Sequence, residues 1–407
     1  MRSGQEKKLR RRDFLWFVFA VALPIPWVIA EAWQGLGIQA ELVAVLSGMA
    51  ILGAAFMLSW SCELAEREVP QALALLVLAL VGVLPEYAVD LHFAWTAGID
   101  PTYAPYATAN MTGANRLLIG VGWVAVVFVS CRRTRTNTLE VSPSQRLELR
   151  YLIWATLYSF VIPLSGSISL LDSVVLLLLF AGYVREAIRG EEFEADLVGP
   201  AALIDTEFKD GGRRLWAILL FIFAGFAIFV SAEPFAESLV TVGRASDFDE
   251  FLLVQWLAPL ASESPEFVVA LIFAWKLRGS MAIGALVSSK VNQWTLLVGA
   301  IPIAYALSLG AAQGLPLDAR QSQELWLTSA QSLLATILLA DLRFGRSEAM
   351  LLAALFFIQL IFPWPFVRIS FIALYLLICG YLLFIRRGPA SEAFFDLLRA
   401  RPHRVES

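Results

Sequence analysis

The chain has 407 residues, of which 58% are hydrophobic and only 16% are charged, and its mean hydropathy is +0.69. A soluble domain is usually about 45–50% apolar and about 25% charged, so this composition argues against a cytosolic enzyme and excludes a disordered chain. A net charge of −4 excludes the basic surface that binding to nucleic acid requires. The composition predicts an all-α polytopic membrane protein whose surroundings are the lipid bilayer.

Apolar runs follow one another along most of the sequence. A helix needs about 20 such residues to cross the hydrocarbon core. Runs of this length favour helices over β-barrel strands, which show alternation over only about ten residues. The sequence therefore predicts twelve membrane helices, at 14–33, 39–60, 69–95, 105–131, 150–165, 167–184, 215–240, 250–275, 281–309, 323–341, 348–362 and 367–385.

The distribution of Lys and Arg predicts the orientation of these helices. If the basic N-terminus lies in the cytoplasm, alternate loops on that side collect most of the basic residues, as the positive-inside rule requires. The exceptions are Arg244, Arg320 and Arg368 on the other side, and Arg116 and Lys290 inside predicted helices. We therefore expect a multi-pass protein of the plasma membrane with both termini in the cytoplasm.

The start of the chain allows two interpretations. Arg11-Arg12-Asp13 resembles a twin-arginine export signal, and a small-residue cleavage site could follow the first apolar run. The alternative, which we favour, is a first anchor helix that is retained in the membrane.

An internal repeat divides the sequence. Residues 85–95 read PEYAVDLHFAW and residues 265–275 read PEFVVALIFAW, with seven of the eleven positions identical. The similarity continues to Asn115 and Asn292 in the following helices. Because the predicted topology threads the two Pro-Glu helices in opposite directions, the halves are expected to be inverted copies, as in many secondary transporters.

The repeat implies an organisation into five regions. The predicted fold has an inverted core of five plus five helices with one extra helix at each end. The regions are a basic N-terminus with an extra helix at 1–38, a first repeat at 39–184, a cytoplasmic loop at 185–214, a second repeat at 215–362, and an extra helix with a cytoplasmic tail at 363–407.

Glu86 and Glu266 are the candidate ligands of a cation. A charge at the centre of a membrane helix costs at least about 2.5–3.5 kcal/mol, so a carboxylate at this depth indicates a function. Each follows a proline, which has no N–H and leaves the carbonyls of Val81 and Ala261 without their helical donors. Carboxylates beside such carbonyl oxygens are suitable ligands for hard cations.

Amides and hydroxyls on the helix after each Pro-Glu helix add neutral oxygens. They belong to Asn110, Thr112 and Asn115 in the first half, and to Ser288, Ser289 and Asn292 in the second. Such side chains also join membrane helices by hydrogen bonds, which is the simpler explanation for any one of them. Their repetition in both halves favours a cation site.

This pattern resembles the alpha-repeats of the sodium/calcium exchanger superfamily of cation antiporters, over about 81–122 and 261–299. The resemblance implies a ten-helix core, alternating access, and a central site with Glu86 and Glu266 as principal ligands. It implies that Asn115 and Asn292 take the positions of the family's ligands in the second helix of each repeat. The chain departs from the family's motifs in having an extra carboxylate, Glu263, and a lysine, Lys290.

Lys290 has two interpretations. In the first, Lys290 releases a proton when a metal cation arrives, so that cation and proton are exchanged at one site. In the second, Lys290 forms a static salt bridge with Glu263 or Glu266. Asp90 lies one turn after Glu86 and is a candidate for a pathway toward the outer water. Arg116, beside Asn115, is expected to face a carboxylate or a lipid headgroup.

These residues predict a secondary antiporter that moves Na+ or Ca2+ against H+ or Na+, and not an enzyme. No cofactor is expected, and the ligands are the transported inorganic cations. The alternatives are a Na+/H+ exchanger without Ca2+ transport, a channel, or an intramembrane enzyme. The sequence has no GxSxG or HExxH motif to support the last of these.

Overall fold

A computed structural model describes residues 2–32, 38–66, 84–188, 197–246, 248–385 and 388–399 of the chain. Over these residues the protein is predominantly helical. The α-helices are α1 Arg2–Ala22, α2 Ile25–Ala32, α3 Ala40–Glu66, α4 Leu84–Ile99, α5 Ala104–Leu117, α6 Val124–Thr134, α7 Arg146–Ser159, α8 Leu170–Ala187, α9 Pro200–Glu207, α10 Asp210–Ala245, α11 Glu250–Trp275, α12 Gly279–Asn292, α13 Val298–Leu309, α14 Ala319–Leu339, α15 Arg346–Ile361, α16 Pro365–Gly380 and α17 Pro389–Arg399.

Shorter elements complete these ranges. Three π-helices, Leu118–Trp123, Gln293–Leu297 and Tyr381–Ile385, each continue an α-helix, and 3-10 turns cover Pro101–Tyr103, Pro143–Gln145 and Ile162–Ser165. Four short strands are β1 Thr138–Glu140, β2 Ser167–Ile168, β3 Leu315–Pro316 and β4 Arg343–Gly345. They form two antiparallel ladders, in which Leu139 pairs with Phe344 and Ile168 with Leu315.

Most predicted helices coincide with observed helices to within about six residues, and the exceptions are 14–33, whose observed helix begins at Arg2, and 69–95. The prediction at 69–95 lies largely outside the described residues, and its end coincides with α4. The first predicted helix is divided in two between Ala22 and Ile25, around Pro24, whose ring disfavours a continuous helix.

Seven helical segments in the described part of the chain are long and apolar enough to cross a membrane. They are Arg10–Ala32, Ala40–Ala65, Pro101–Thr134, Pro143–Ser165, Asp210–Ala245, Glu250–Trp275 and Pro365–Phe384. Their outward side chains include large apolar ones, such as Phe229 at 83% and Phe366 at 80% exposure. The protein is thus a helical membrane protein, whereas the total of twelve spans stays a prediction.

The chain divides into two compact units. The first contains residues 1–92 and 188–266, and the second contains residues 93–187 and 267–407. Two of the boundaries between the units fall inside helices. One lies after His92 in α4, and the other lies after Glu266 in α11.

The first unit is built around the long helices α3 and α10. Trp27 in α2 donates its indole N–H to the Val230 carbonyl at 3.0 Å, and Ser61 in α3 donates to the Ala217 carbonyl at 2.9 Å. Small residues such as Ala54 and Ala224 are fully buried. Close approach of backbones through small residues is the usual way in which membrane helices pack.

In the second unit, α14 is the central helix. Asp318 and Gln321 form a capping box at its start, and most of its side chains are buried, including Ser329 and Gln331. Polar groups on this helix are joined to its neighbours, as Ser329 and Ser159 in α7 show with an Oγ–Oγ distance of 2.7 Å. The polar surface of α14 therefore faces protein.

Gly53 provides a test of the packing in the first unit. A Cβ atom there would lie 2.6 Å from the Ala20 carbonyl oxygen and 2.7 Å from Leu23 Cβ. We expect Gly53→Ala to destabilise the protein by about 1–3 kcal/mol through overpacking, and to lower the melting temperature of purified protein in detergent.

Gly225→Ala in α10 is the matched control for this substitution. Nothing lies within 4 Å of a Cβ built there, so we expect no loss and a gain of up to about 1 kcal/mol from helix propensity. Equal melting temperatures for the two variants would contradict the packing described for α1, α2 and α3.

Candidate functional site

Four of the predicted carboxylates lie in the first unit, on two helices. Glu86 and Asp90 are on α4, where Glu86 is 2% and Asp90 is 0% exposed. Glu263 and Glu266 are on α11, where Glu263 is 2% exposed and Glu266 is half-buried. Carboxylates at such burial are costly unless they are neutralised or bind a cation. Both helices therefore carry acidic groups that are shielded from solvent.

The backbone beside Glu266 supports one half of the proline prediction. Pro259 and Pro265 both lie inside α11, so two donors are absent from its hydrogen-bond ladder. Ser262 donates to the carbonyl of Ala258 at 3.2 Å. The corresponding position in the first half, Val81, lies outside the described residues.

The predicted amide and hydroxyl ligands lie in the second unit. Asn110, Thr112 and Asn115 on α5 are fully buried. On α12, Asn292 is 4% exposed, and Ser288 and Ser289 are half-buried. Thr112 donates to the Thr108 carbonyl at 2.7 Å, and Ser288 contacts the Tyr183 hydroxyl at 2.7 Å.

Lys290 and Asn115 form a direct contact in this unit. The Lys290 ammonium is fully buried and donates to Asn115 Oδ1 at 2.9 Å and to the Asn115 carbonyl at 3.1 Å. The Asn115 amide nitrogen donates to the Met111 carbonyl at 2.9 Å, which fixes its orientation. Lys290 Nζ also lies 5.0 Å from the centre of the Trp294 ring, a cation–π distance. The Lys290 ammonium is thus bonded to Asn115 Oδ1, the amide oxygen that the family resemblance assigns to a transported cation.

A π-helix follows each of the two asparagines. Leu118–Trp123 begins three residues after Asn115, and Gln293–Leu297 begins directly after Asn292. A π-helix shifts the backbone hydrogen bonds by one residue and often marks a functional site. Sequence analysis missed both π-helices, because neither segment contains a proline that would indicate an irregular helix.

Arg116 faces a carboxylate, which is one of the two partners expected from the sequence. Its guanidinium forms an ion pair with Glu324 on α14, and Arg368 on α16 lies 3.6 Å from the same carboxylate. Sequence analysis missed Glu324 and left Arg368 as an isolated basic residue, because no motif connects them with Arg116.

Other polar groups have contacts within their own unit. Asp172 accepts hydrogen bonds from Tyr158 and from the Ser169 backbone, both at 2.7 Å, and so caps α8. His92 and Glu237 lie 3.0 Å apart in the first unit. Within the described residues, no three His, Cys, Asp or Glu side chains are grouped as a metal site.

Comparisons with known proteins agree with this arrangement of helices. The family model described as sodium/calcium exchanger protein matches residues 40–188 and 216–364. The crystal structure of the H+/Ca2+ exchanger CAX is 44% identical, covers 96% of this chain and 98% of its own, and superposes with a TM-score of 0.89.

Two more distant proteins are also similar to this chain. A structure of the sodium-calcium exchanger NCX_Mj is 19% identical, covers 78% of this chain and 96% of its own, and has a TM-score of 0.52. An uncharacterized membrane protein of Methanocaldococcus jannaschii is 25% identical over 217 residues, which are 53% of this chain and 65% of that relative.

The matched ranges contain both Pro-Glu segments and both asparagine helices, so the resemblance first read from the repeats is confirmed. The chain belongs to the sodium/calcium exchanger protein family.

Proposed function

We propose that this protein is a secondary antiporter that exchanges Ca2+ for H+ by alternating access, with Glu86 and Glu266 as the principal ligands of the cation. The observation that carries the proposal is the Pro-Glu pair in both halves of the chain, with the Glu86 carboxylate only 2% exposed. The sequence identity of 44% to an H+/Ca2+ exchanger, whose structure covers 96% of this chain, supports the choice of ions.

The carboxylates of Glu86 and Glu266 explain why such a site would exchange one kind of ion for another and would not transport a single kind without a counter-ion. Two negative charges balance one Ca2+, and two protons balance the same charges when Ca2+ has left. These two carboxylates are neutralised in both loaded states, whereas in the empty state they carry two charges in a low-dielectric environment, which is costly. Only a loaded site therefore changes its access at a useful rate.

Neutral oxygens complete the proposed ligand set. They come from Asn110, Asn115, Ser289 and Asn292, and Glu263 is an additional carboxylate on the same helix as Glu266. Oxygen ligands of mixed charge are what a dehydrated Ca2+ prefers. For Asp90 we propose a part in the movement of protons, and for Lys290 either proton coupling or a fixed charge.

The proposed architecture is that of an inverted repeat. We propose five core helices in 39–184 and five in 215–362, with extra helices in 1–38 and 363–407 and a cytoplasmic loop at 185–214. Both termini are placed in the cytoplasm on the distribution of Lys and Arg, and the membrane is the plasma membrane.

Na+/H+ exchange is the second candidate function, and Lys290 is the observation that favours it. The ammonium bonded to Asn115 Oδ1 at 2.9 Å is a positive charge beside a proposed ligand. It repels a divalent cation about twice as strongly as a monovalent one.

A flux assay with purified protein in liposomes tests both candidates. Vesicles carry a pH dye inside and are offered Na+, K+, Ca2+ or Mg2+ outside, with protein-free vesicles as the control. We expect Ca2+ uptake that requires an outward proton gradient. Na+ uptake coupled to protons, without Ca2+ uptake, would establish the alternative. Rapid flux that needs no counter-ion would indicate a channel and overturn both.

A further inference from the structure

A cluster of three charged side chains lies inside the second unit. Arg116 on α5, Glu324 on α14 and Arg368 on α16 have side chains that are 2%, 3% and 6% exposed. One oxygen of Glu324 pairs with Arg116 and the other lies 3.6 Å from Arg368 Nε. The two guanidiniums thus share one carboxylate, and three helices meet at this point.

The cluster extends into the backbone at both ends. Arg368 donates to Gln323 Oε1 at 3.2 Å and to the carbonyl of Pro363 at 2.8 Å. At the other end, Gln331 Nε2 on α14 donates to the Arg116 carbonyl at 3.3 Å. Helix α14 therefore holds both the side chain and the carbonyl of Arg116.

Arg116 is the residue after Asn115, and the two successive carbonyls have similar surroundings. The Asn115 carbonyl accepts from Lys290 on α12, and the Arg116 carbonyl accepts from Gln331 on α14. The π-helix Leu118–Trp123 starts two residues later. The position of the Asn115 oxygens is thus fixed from two sides, at a place where the backbone leaves regular α-helical geometry.

The cluster has no symmetric copy in the repeat. Asn115 corresponds to Asn292, an offset of 177, so Arg116 corresponds to Gln293, which is neutral and fully buried. Arg368 lies beyond the ranges 40–188 and 216–364 that match the family model. The ionic contacts therefore join Arg116 of the first repeat to Glu324 of the second, and Glu324 to Arg368 of the C-terminal extra helix.

Burial of three charges argues against a role in stability alone. A buried ion pair is on balance no more stabilising than apolar residues of similar volume, but removal of one partner leaves an uncompensated charge. What such a cluster provides is a defined geometry, because Arg places its donors in a rigid fork.

We infer that Glu324 and Arg368 are positioning residues for the cation site, and this rests on the proposed function in which Asn115 is a ligand. Through Arg116 they fix the Asn115 oxygens, so helix α16, Pro365–Gly380, is part of the transport machinery. Loss of Arg368 weakens the binding of the transported cation and leaves the turnover of the loaded carrier nearly unchanged.

The test is a double-mutant cycle on the full-length protein in liposomes, with Ca2+ uptake as the probe and Na+ uptake if Ca2+ is not carried. We expect Arg368→Gln to raise the KM for the cation about fivefold with little change in Vmax, a coupling of the size seen within one side-chain network. In an Asn115→Ala background the same substitution is expected to change KM less than twofold. Arg368→Lys, which keeps the charge, is expected to restore part of the affinity.

Arg150→Gln is the matched control. Arg150 is a buried arginine of the same unit that is paired with Glu186, and its side chain is 7% exposed. We expect it to lower the melting temperature without a change in KM. If Arg368→Gln does not fold, Arg368→Lys in both backgrounds decides the question. Equal KM effects with and without Asn115, or an unchanged KM, would overturn the inference, whereas a wild-type protein that moves no cation would overturn the proposed function instead.

Discussion

Replacement of Glu86 or Glu266 by glutamine is expected to abolish cation exchange. Each substitution keeps the volume of the side chain and removes one negative charge from the proposed site. Loss of one partner from a buried charge pair costs about 3–5 kcal/mol, which corresponds to a decrease in cation affinity on the order of 10²–10⁴-fold. Proton-driven Ca2+ uptake in liposomes and the binding of Ca2+ to purified protein measure the two consequences separately.

Glu237→Gln is the matched control for these two variants. Glu237 belongs to the same unit, contacts His92 at 3.0 Å, and has a side chain that is 37% exposed. It has no counterpart in the repeated Pro-Glu pattern, so we expect exchange within about twofold of the wild type. If Glu86→Gln or Glu266→Gln exchanged Ca2+ normally, the proposed site would be wrong.

Most of the helices were predictable because each contains a long, mainly apolar run bounded by polar residues. The predicted helix at 250–275 and the observed α11 have the same ends, Glu250 and Trp275. The repeat was equally visible, since Pro-Glu and Trp recur at a fixed offset and do not follow from hydrophobicity alone. These features depend on local sequence, where the hydrophobic effect acts in a simple way.

The contacts of the buried charges were not predictable to the same degree. Sequence analysis gave a carboxylate or a lipid headgroup as the partner of Arg116, because an unpaired guanidinium in lipid is too costly. It could not identify Glu324, which is more than 200 positions away in the sequence. Nor did it pair Lys290 with Asn115, since the choice between an amide and a nearby carboxylate depends on tertiary packing. The π-helices were also not predicted, because no residue type specifies them.

Lys290 gives the second large expected effect. Its ammonium donates a hydrogen bond to Asn115 Oδ1 at 2.9 Å, so a cation that binds this oxygen has to compete with the ammonium. In the proton-coupled interpretation, the arriving cation displaces this positive charge, and one proton leaves for each cation bound. We therefore expect Lys290→Met to lower the number of protons moved per cation by about one and to change the voltage dependence of exchange accordingly.

Measurement of both quantities separates the two interpretations of Lys290. Proton and cation fluxes are recorded together in liposomes, at membrane potentials set with K+ and valinomycin. Lys276→Met, at an exposed position, is the control for the loss of a lysine and is expected to leave the stoichiometry unchanged. A fixed ammonium makes a different prediction, because it only weakens cation binding by repulsion. Lys290→Met would then raise cation affinity at an unchanged stoichiometry and voltage dependence, and this result would exclude a role for Lys290 in carrying protons.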